Sequence, residues 1–325
     1  MATAEWRRGP CDLTRQTAGP VYDPRENTET LISARLLLPI WGRNLSQTSV
    51  EPPARPTTIG HREALSLGAK LRISSTVTED ALARSHNPVL MWTGGKDSNL
   101  ALWLVRKVCE ETQAPCPPLL FIDHGTHFDE TWKLMDEVSK GWGLRTVIAR
   151  NEDVLAHAKE PGGWIEIQDL SLENQGEIRR TGYAKPSFPY ALGNIVGNHL
   201  LKTVAMNTAI REHRYDAVFT GIRWDEDEAR SRERFISPRT DPPHVRVHPI
   251  LHFSEREVWM ETLRQGLPIH PLYQLGFRSI DGKYDSHKVA DIPAWEQDLE
   301  GTFERAGRAQ DKEQIMERLR DLGYM

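Results

Sequence analysis

Short apolar runs alternate with longer amphipathic segments through the middle of the chain. Apolar runs occur at residues 88–92, 118–122, 145–149, 216–220 and 245–250, and each has the length of a buried strand. Between the first three runs, residues 98–111 and 129–142 repeat apolar side chains at helical spacing. Strands that alternate with helices predict a parallel sheet with right-handed crossovers. The predicted fold class is therefore α/β, with a doubly wound parallel sheet.

Three further helices are predicted around these strands. A helical pattern of apolar residues spans 61–85, and a longer one spans 190–214. Ser254 and Glu257 have the Ser-x-x-Glu spacing of a capping box, so a helix is expected to begin there and to end near Arg264.

The remaining segments carry more loop-forming residues. Residues 160–189 are largely polar and contain Pro-Gly-Gly, which predicts a loop or a lid. Scattered prolines predict that residues 1–60 form an irregular N-terminal extension. We therefore expect an α/β domain at 61–275 and a C-terminal tail at 276–325, with a final charged helix at 311–321.

Charge and cysteine content narrow the class of protein. The formal net charge of -5 argues against broad, non-specific binding of nucleic acid. No run of about 18 apolar residues is present, so no membrane span is expected. The three cysteines are Cys11, Cys109 and Cys116. Such a small, odd set does not form a disulfide framework, and it predicts a cytoplasmic protein.

The clearest chemical signal is a glycine-rich turn after the first apolar run, Thr93-Gly94-Gly95-Lys96-Asp97-Ser98. Glycines let the backbone turn tightly and approach a ligand closely, because they have no Cβ atom. The amides at the start of the following helix, together with Lys96, supply positive charge for a phosphate group. Thr93 and Ser98 add hydroxyl donors, and Ser98 is also placed to cap the helix. The turn lacks the spacing of a Walker A loop, so it predicts a phosphate-binding loop of another type.

This loop resembles the Ser-Gly-Gly-Lys-Asp-Ser pyrophosphatase loop of the adenine-nucleotide α-hydrolase-like fold, with Thr93 where Ser is usual. From about 87 to 276 the chain is similar to the phosphoadenylylsulfate reductase superfamily, which includes the ATP-binding small subunit of bacterial sulfate adenylyltransferase. The resemblance implies that the chain binds ATP with Mg²⁺ and cleaves ATP between its α- and β-phosphates. Further matching stretches follow in the superfamily's order at 121–125, 219–226, 230–232, 246–250, 253–259 and 267–273.

Two groups of polar residues follow predicted strands and allow two interpretations each. Asp123 lies at the edge where open parallel sheets bind ligands, and it either contacts the nucleotide or Mg²⁺ or forms an Asx turn with Gly125. Arg223 and Arg230 lie among acidic residues, and guanidinium groups bind phosphate or sulfate in a bidentate way. Ordinary helical ion pairs, such as Glu226 with Arg230, are the alternative interpretation.

The resemblance favours function for these positions. It implies catalytic roles for Lys96, Arg223 and Arg230, and metal binding by Asp97 and Asp123. Arg246 could complete an anion pocket. With Arg246 included, the implied nucleotide-binding residues are Thr93, Gly94, Gly95, Lys96, Asp97, Ser98, Asp123, Gly125, Gly221, Asp225, Glu226 and Arg246. In the tail, Arg305 and Arg308 flank Gly307. We hypothesise that this segment closes over the nucleotide as a clamp, although a solvated basic turn is an equal alternative.

The resemblance also bears on the reaction. Thiol-dependent reductases of the superfamily carry a Glu-Cys-Gly-Leu-His segment, whereas this sequence has no cysteine after Cys116. A reductase needs a thiolate nucleophile, so the resemblance favours adenylyl transfer to an oxyanion, with sulfate as the leading acceptor. It further implies a GTPase large subunit as a partner, and a homo-oligomer remains open. The alternatives are ATP-dependent sulfur insertion into nucleic acid, as in DNA phosphorothioation, and a non-catalytic nucleotide sensor.

Overall fold

The structure is a computed structural model that describes residues 65–226, 228–302 and 304. The chain divides into two compact units, Met1–Ala54 and Arg55–Met325. The first unit lies outside the described residues, as do the predicted helix at 311–321 and the two tail arginines, Arg305 and Arg308.

The described residues form a central sheet and a separate hairpin. The strands are β1 (Pro88–Met91), β2 (Leu119–Ile122), β3 (Thr146–Ala149), β4 (Trp164–Glu166), β5 (Ser187–Pro189), β6 (Ala217–Phe219), β7 (Ile236–Thr240) and β8 (Pro243–Val247). Six of them form one sheet in the order β3-β2-β1-β6-β8-β7. All neighbours in this sheet are parallel except the pair β7 and β8. The predicted parallel sheet is therefore confirmed, with one antiparallel strand added at its edge.

Helices cover both faces of the sheet. They are α1 (Leu67–Arg84), α2 (Lys96–Thr112), α3 (Asp129–Gly141), α4 (Glu152–His157), α5 (Leu172–Arg180), α6 (Ile195–Asn198), α7 (Ala205–His213), α8 (Glu255–Arg264) and α9 (Pro271–Gln274). Leu90 and Phe219 point into a core that they share with α1, α2 and α3. Val89 and Val218, their neighbours along the same strands, point into a second core with α7. Because successive strand residues face opposite sides, these two cores establish the doubly wound α/β arrangement. The capping box of Ser254 and Glu257 at the start of α8 is also confirmed.

The prediction of a loop at 160–189 is wrong. This segment contains the antiparallel hairpin of β4 and β5, and α5 lies between the two strands. Ile165, Ile178 and Phe188 are each no more than 2% exposed and share one apolar cluster. The strands were missed because each has only three residues, too few for a period to show. The predicted helix at 190–214 begins instead at α6 and continues into α7 through a π-helical turn, His199–Val204.

Strand β7 forms one edge of the sheet and pairs with β8 alone. Pro238 lies in its middle, opposite Val245. Proline has no backbone donor and is confined to edge strands and bulges, so its presence hid this strand from the sequence analysis.

The part of the predicted tail that the structure describes packs into the same unit as the sheet. Ala294 and Leu299 are buried against Trp259 and Tyr273. The segment from 276 to 302 is therefore part of the folded body rather than a separate tail. Within the residues described, no helix combines the length and apolar character that crossing a bilayer requires.

Candidate active site

The candidate site lies where the winding of the sheet changes direction. From β1 the chain proceeds to β2 and β3 on one side, whereas β6 lies on the other side of β1. The turns after β1 and β6 therefore meet at the carboxyl edge of the sheet, the place where open α/β sheets bind ligands. A cleft of about 190 Å³ opens there. Its lining includes Thr93, Gly95, Lys96, Asp97, Ser98, His124, His127, Lys202, Met206, Thr220, Gly221, Glu226, Arg230, Arg246, His248, Tyr273, Asp281 and Glu304.

The glycine-rich turn joins β1 to α2 with a backbone that requires glycine. Gly94 has φ of 76°, in the left-handed region. Ser98 lies inside the first turn of the helix, because α2 begins at Lys96 and Gly95 is its N-cap. The prediction that Ser98 caps the helix is therefore wrong. Its hydroxyl donates to Gly95 O at 2.9 Å and accepts from the Thr93 amide at 3.2 Å, which holds the turn closed.

Gly221 brings the end of β6 against the same turn. A Cβ atom at this position would lie 2.7 Å from the carbonyl carbon of Asp97 and 2.8 Å from the amide nitrogen of Ser98. Only glycine allows this approach, which explains the glycine in the turn after β6. Gly221 thus sets the distance between the two halves of the site.

Lys96 is buried at the start of α2 among oxygen atoms. Its amide donates to the Tyr273 hydroxyl at 3.2 Å. Its ammonium nitrogen lies 3.2 Å from Asp97 Oδ2 and 2.5 Å from Glu304 Oε1. Burial alone would lower the pKa of Lys96, but the nearby carboxylates outweigh it and raise that pKa above its ordinary value. The lysine is therefore a fixed positive charge at neutral pH.

Arg223 is fully buried and joins the turn after β6 to the phosphate loop. Its guanidinium contacts Asp97, donates to Asp225 Oδ1 at 2.8 Å and donates to Glu304 Oε2 at 2.5 Å. Burial acts to lower the pKa of Arg223, and these carboxylates, Asp97 first, raise it well above its ordinary value. Asp225 also accepts the amide of Glu255 at 2.9 Å, so it orients Arg223 and caps α8 together.

Two arginines, Arg230 and Arg246, line the cleft. Arg230 is 8% exposed and forms an ion pair with Glu226, whose carboxylate also accepts the Arg223 amide at 3.0 Å. The ion pair between Glu226 and Arg230 and the position of Arg230 in the cleft therefore occur together, although Glu226 lies outside any helix. Arg246 is 2% exposed, and its Nη2 lies 3.7 Å from Met206 Sδ. With these two guanidinium groups, the lining of the cleft suits an anion.

His248 lies two residues after Arg246 and also lines the cleft. Its Nδ1 lies 2.6 Å from Thr220 Oγ1, and its Nε2 lies 3.6 Å from Glu233 Oε2. Burial lowers the pKa of His248 to about 4, even though Glu233 acts to raise it. The imidazole is therefore neutral at pH 7 and serves to hold Thr220.

Asp123 and Gly125 form the Asx turn that the sequence left open. The Gly125 amide donates to Asp123 Oδ1 at 2.8 Å, and Arg150 Nε donates to Oδ2 at 2.6 Å. A Cβ atom on Gly125 would meet the Tyr190 hydroxyl, and φ there is 80°. The nucleotide-binding roles of Asp123 and Gly125 stay predictions, because the carboxylate of Asp123 faces Arg150.

Three carboxylates converge beside the phosphate loop. Asp97, Glu226 and Glu304 each offer one oxygen, and these oxygens lie within 4.8 Å of one another. Carboxylate oxygens are the ligands that Mg²⁺ prefers, so this group fits a divalent cation. Asp123 belongs to the turn described above, so only one of the two metal ligands expected from the sequence, Asp97, is in the group.

The sequence analysis missed several residues that shape the site. Buried Asn99 holds the loop through Trp92 Nε1 at 2.6 Å and the carbonyl of Pro268 at 2.8 Å. Tyr273 and Glu304 contact Lys96 from 177 and 208 residues away. Lys202 lines the cleft and pairs with Asp281 at 2.5 Å. In the sequence, the only signs of these residues were the polar positions within 276–282 and the charged stretch that begins at Glu304. The residues that they contact lie far away in the sequence.

Three comparisons with known proteins bear on this site. The chain is 26% identical over 230 residues to sulfate adenylyltransferase subunit 2 of Maricaulis maris, which covers 64% of this chain and 66% of that protein. It is 29% identical over 245 residues to the protein of the same name in Methylobacterium radiotolerans, with 68% of each chain covered. The chain therefore spans about two thirds of the length of these relatives.

A solved structure with the same fold is the FMN adenylyltransferase of Candida glabrata in complex with FAD and inorganic pyrophosphate. The TM-score is 0.52 at 16% identity, with 76% of this chain and 90% of that chain covered. Residues 87–288 match the family model described as the phosphoadenosine phosphosulfate reductase domain. This match covers more than half of the chain and includes both turns of the site, so the chain belongs to the phosphoadenosine phosphosulfate reductase domain family.

Proposed function

We propose that this protein transfers the adenylyl group of ATP to sulfate, forming adenylylsulfate and releasing pyrophosphate. The observation that carries the proposal is the set of cations at the cleft. Lys96 lines the cleft at the phosphate loop, and buried Arg223 contacts Asp97 of that loop. Arg230 and Arg246 also line the cleft, as does Lys202, which is paired with Asp281. Relatives named sulfate adenylyltransferase subunit 2 support sulfate as the acceptor.

Lys96, Arg223, Arg230 and Arg246 can be divided between the two anions of this reaction. Lys96 and Arg223 bind the same carboxylate in this structure, so we assign both to the phosphates of ATP. Arg230 and Arg246 would then hold sulfate. A sulfate oxygen attacks the α-phosphorus while the bond from that phosphorus to the α,β-bridging oxygen breaks, and pyrophosphate leaves with the electron pair. Such a step needs positioning and charge neutralisation and no covalent protein intermediate.

We further propose that Mg²⁺ accompanies ATP and is held by Asp97 and Glu226. Their oxygens belong to the convergent carboxylate group and have the hard donor character that Mg²⁺ prefers. When bound, the ion would neutralise charge on the phosphates. Asp97 would in addition keep Arg223 in place, because the two side chains are already in contact.

We also propose a large-subunit partner of the GTPase class, because the relatives are named as one subunit of an enzyme. Formation of adenylylsulfate is expected to be unfavourable without such a partner, so the reverse reaction is the sharper test of the isolated chain. The clamp role of Arg305 and Arg308, the homo-oligomer and the cytoplasmic location stay predictions.

The test is the synthesis of ATP from adenylylsulfate and pyrophosphate with Mg²⁺, followed by luciferase. We expect wild-type protein to form ATP and Lys96→Ala to lose about a hundredfold or more of the rate, because a positioned cation at the reacting phosphates is removed. Lys107→Ala is the matched control, since Lys107 lies on the same helix with 45% of its side chain exposed, and it should keep the wild-type rate.

Three outcomes would contradict the proposal. Equal rates for Lys96→Ala and Lys107→Ala would place the chemistry elsewhere. Forward pyrophosphate release only with DNA and a sulfur donor would indicate sulfur insertion into nucleic acid. Tight binding of ATP without turnover in either direction would indicate a nucleotide sensor.

A further inference from the structure

The two cations of the phosphate loop are bound to a carboxylate of the protein itself. One oxygen of Glu304 lies 2.5 Å from Lys96 Nζ, and the other lies 2.5 Å from Arg223 Nη2. The Glu304 side chain is only 8% exposed. A carboxylate that spans two cations in this way makes the contacts that a phosphate group would make with them.

Glu304 is charged in this position. Burial acts to raise the pKa of its carboxyl group, but Arg223 and Lys96 lower that pKa to about 2. The same two cations also contact Asp97 and Asp225. The positive charge at the loop is therefore already compensated, and a triphosphate would bring further negative charge against buried carboxylates.

The carboxylates around these cations belong to different parts of the fold. Asp97 belongs to the first turn of α2, and Asp225 is fixed by the amide of Glu255. Glu304 instead follows the turn at 298–302, and its carboxylate oxygens bind the two cations. It is therefore the carboxylate that can leave without disturbing the sheet or α2.

The preceding turn keeps Glu304 at the cleft. Arg278 is 1% exposed and donates to the carbonyls of Asp298 at 3.0 Å and Leu299 at 3.1 Å. Its guanidinium also pairs with Glu255 at 2.7 Å. Arg278 also contacts the hydroxyl of Thr302, two residues before position 304, so the carboxylate competes at a high effective concentration.

We propose that the carboxylate of Glu304 is an intramolecular competitor of the nucleotide phosphates for Lys96 and Arg223, so that a nucleotide binds only by displacing it. This inference rests on the proposed function, since it takes the loop to be the phosphate site. The apparent Kd for the nucleotide is then the intrinsic Kd divided by the fraction of molecules in which Glu304 has left the two cations. The contact acts as an autoinhibitory device built into the chain.

The test removes the negative charge and keeps the shape of the side chain. Wild-type protein, Glu304→Gln and Glu300→Gln are titrated with inorganic pyrophosphate and with α,β-methylene-ATP by calorimetry, in EDTA and again with Mg²⁺. We expect Glu304→Gln to bind both ligands with a Kd about tenfold lower, as when the carboxylate excludes phosphate in about nine of ten molecules. Glu300→Gln makes the same charge change on a side chain that is 75% exposed, and its Kd should match the wild type.

The charge-retaining variant Glu304→Asp provides an independent measurement. Its carboxylate reaches less far, so we expect a Kd between those of the wild type and Glu304→Gln. A Kd higher than that of the wild type would contradict competition. An unchanged or weaker Kd for Glu304→Gln would overturn the inference. Weaker binding confined to the Mg²⁺ arm would mean that Glu304 is a metal ligand.

Failure of the proposed function has a different signature. If Lys96→Ala abolishes binding while Glu304→Gln equals wild type, the phosphate site stands and only the competition is wrong. If neither the wild type nor any variant binds either ligand, both the proposed phosphate site and the proposed competition are wrong.

Discussion

Replacing Gly221 with alanine tests the contact between the two turns of the site. The added Cβ would lie 2.7 Å from the carbonyl carbon and oxygen of Asp97. Ordinary contact begins near 3.4 Å, so the two backbones must separate by about 0.7 Å. Neither can move easily, because Phe219 and Leu102 are fully buried on the two sides. Overpacking of this kind destabilises a fold by about 1–3 kcal/mol.

The same shift moves the phosphate loop relative to Arg223. A displacement of about 1 Å in an active site can reduce activity by about a hundredfold, so we expect Gly221→Ala to weaken binding of α,β-methylene-ATP at least tenfold. Urea unfolding measures the stability and calorimetry measures the affinity. Gly141→Ala is the control, because a Cβ there meets nothing within 4 Å and alanine suits the helix. Wild-type stability and affinity in Gly221→Ala would refute the reasoning.

Three further predictions concern charge and hydrogen bonding. Lys96→Met should destabilise the protein by about 3 kcal/mol in urea unfolding, since it leaves buried carboxylates uncompensated. Adding Glu304→Gln should restore most of that lost stability, and no restoration would contradict the pairing of Lys96 with Glu304. Burial lowers the pKa of His252 to about 4, so the unfolded chain, near its ordinary pKa of about 6.5, takes up the proton first. His252 alone should therefore lower stability by roughly 3 kcal/mol between pH 6.5 and 4, in addition to the fall from His248, whose pKa is lowered in the same way. His252→Gln should show a shallower fall than the wild type. Tyr273→Phe removes the acceptor of the Lys96 amide and should lower stability by about 1 kcal/mol; an unchanged urea midpoint would argue against that bond.

The parts of the site that could be predicted from sequence are those encoded locally. Gly94 and Gly95 follow closely after a buried strand, so the strand, the turn and the helix are predicted from one continuous stretch of sequence. Arg223 was found for the same reason, since it follows β6 within a few positions. The parallel sheet followed from the alternation of strands and helices, because chirality limits how such units connect.

The parts that could not be predicted depend on contacts between distant segments. Glu304 contacts Lys96 across 208 residues of sequence, and no local pattern near either residue predicts this contact. Asp123 offered two interpretations in sequence, and the partner that favours the Asx turn, Arg150, lies on another loop. The hairpin of β4 and β5 has strands of three residues, which are buried in an apolar cluster that they share with α5 and α6.

The lone antiparallel edge of the sheet has a consequence for self-association. Phe235 accepts a hydrogen bond from the amide of His248, and with the antiparallel register this places position 238 among those whose backbone points away from β8. Proline at that position leaves the outer rim of β7 without a donor where an incoming strand would need one. Pro238 therefore opposes fibril-like stacking through this rim, and a chain with valine there would be more prone to aggregate at high concentration.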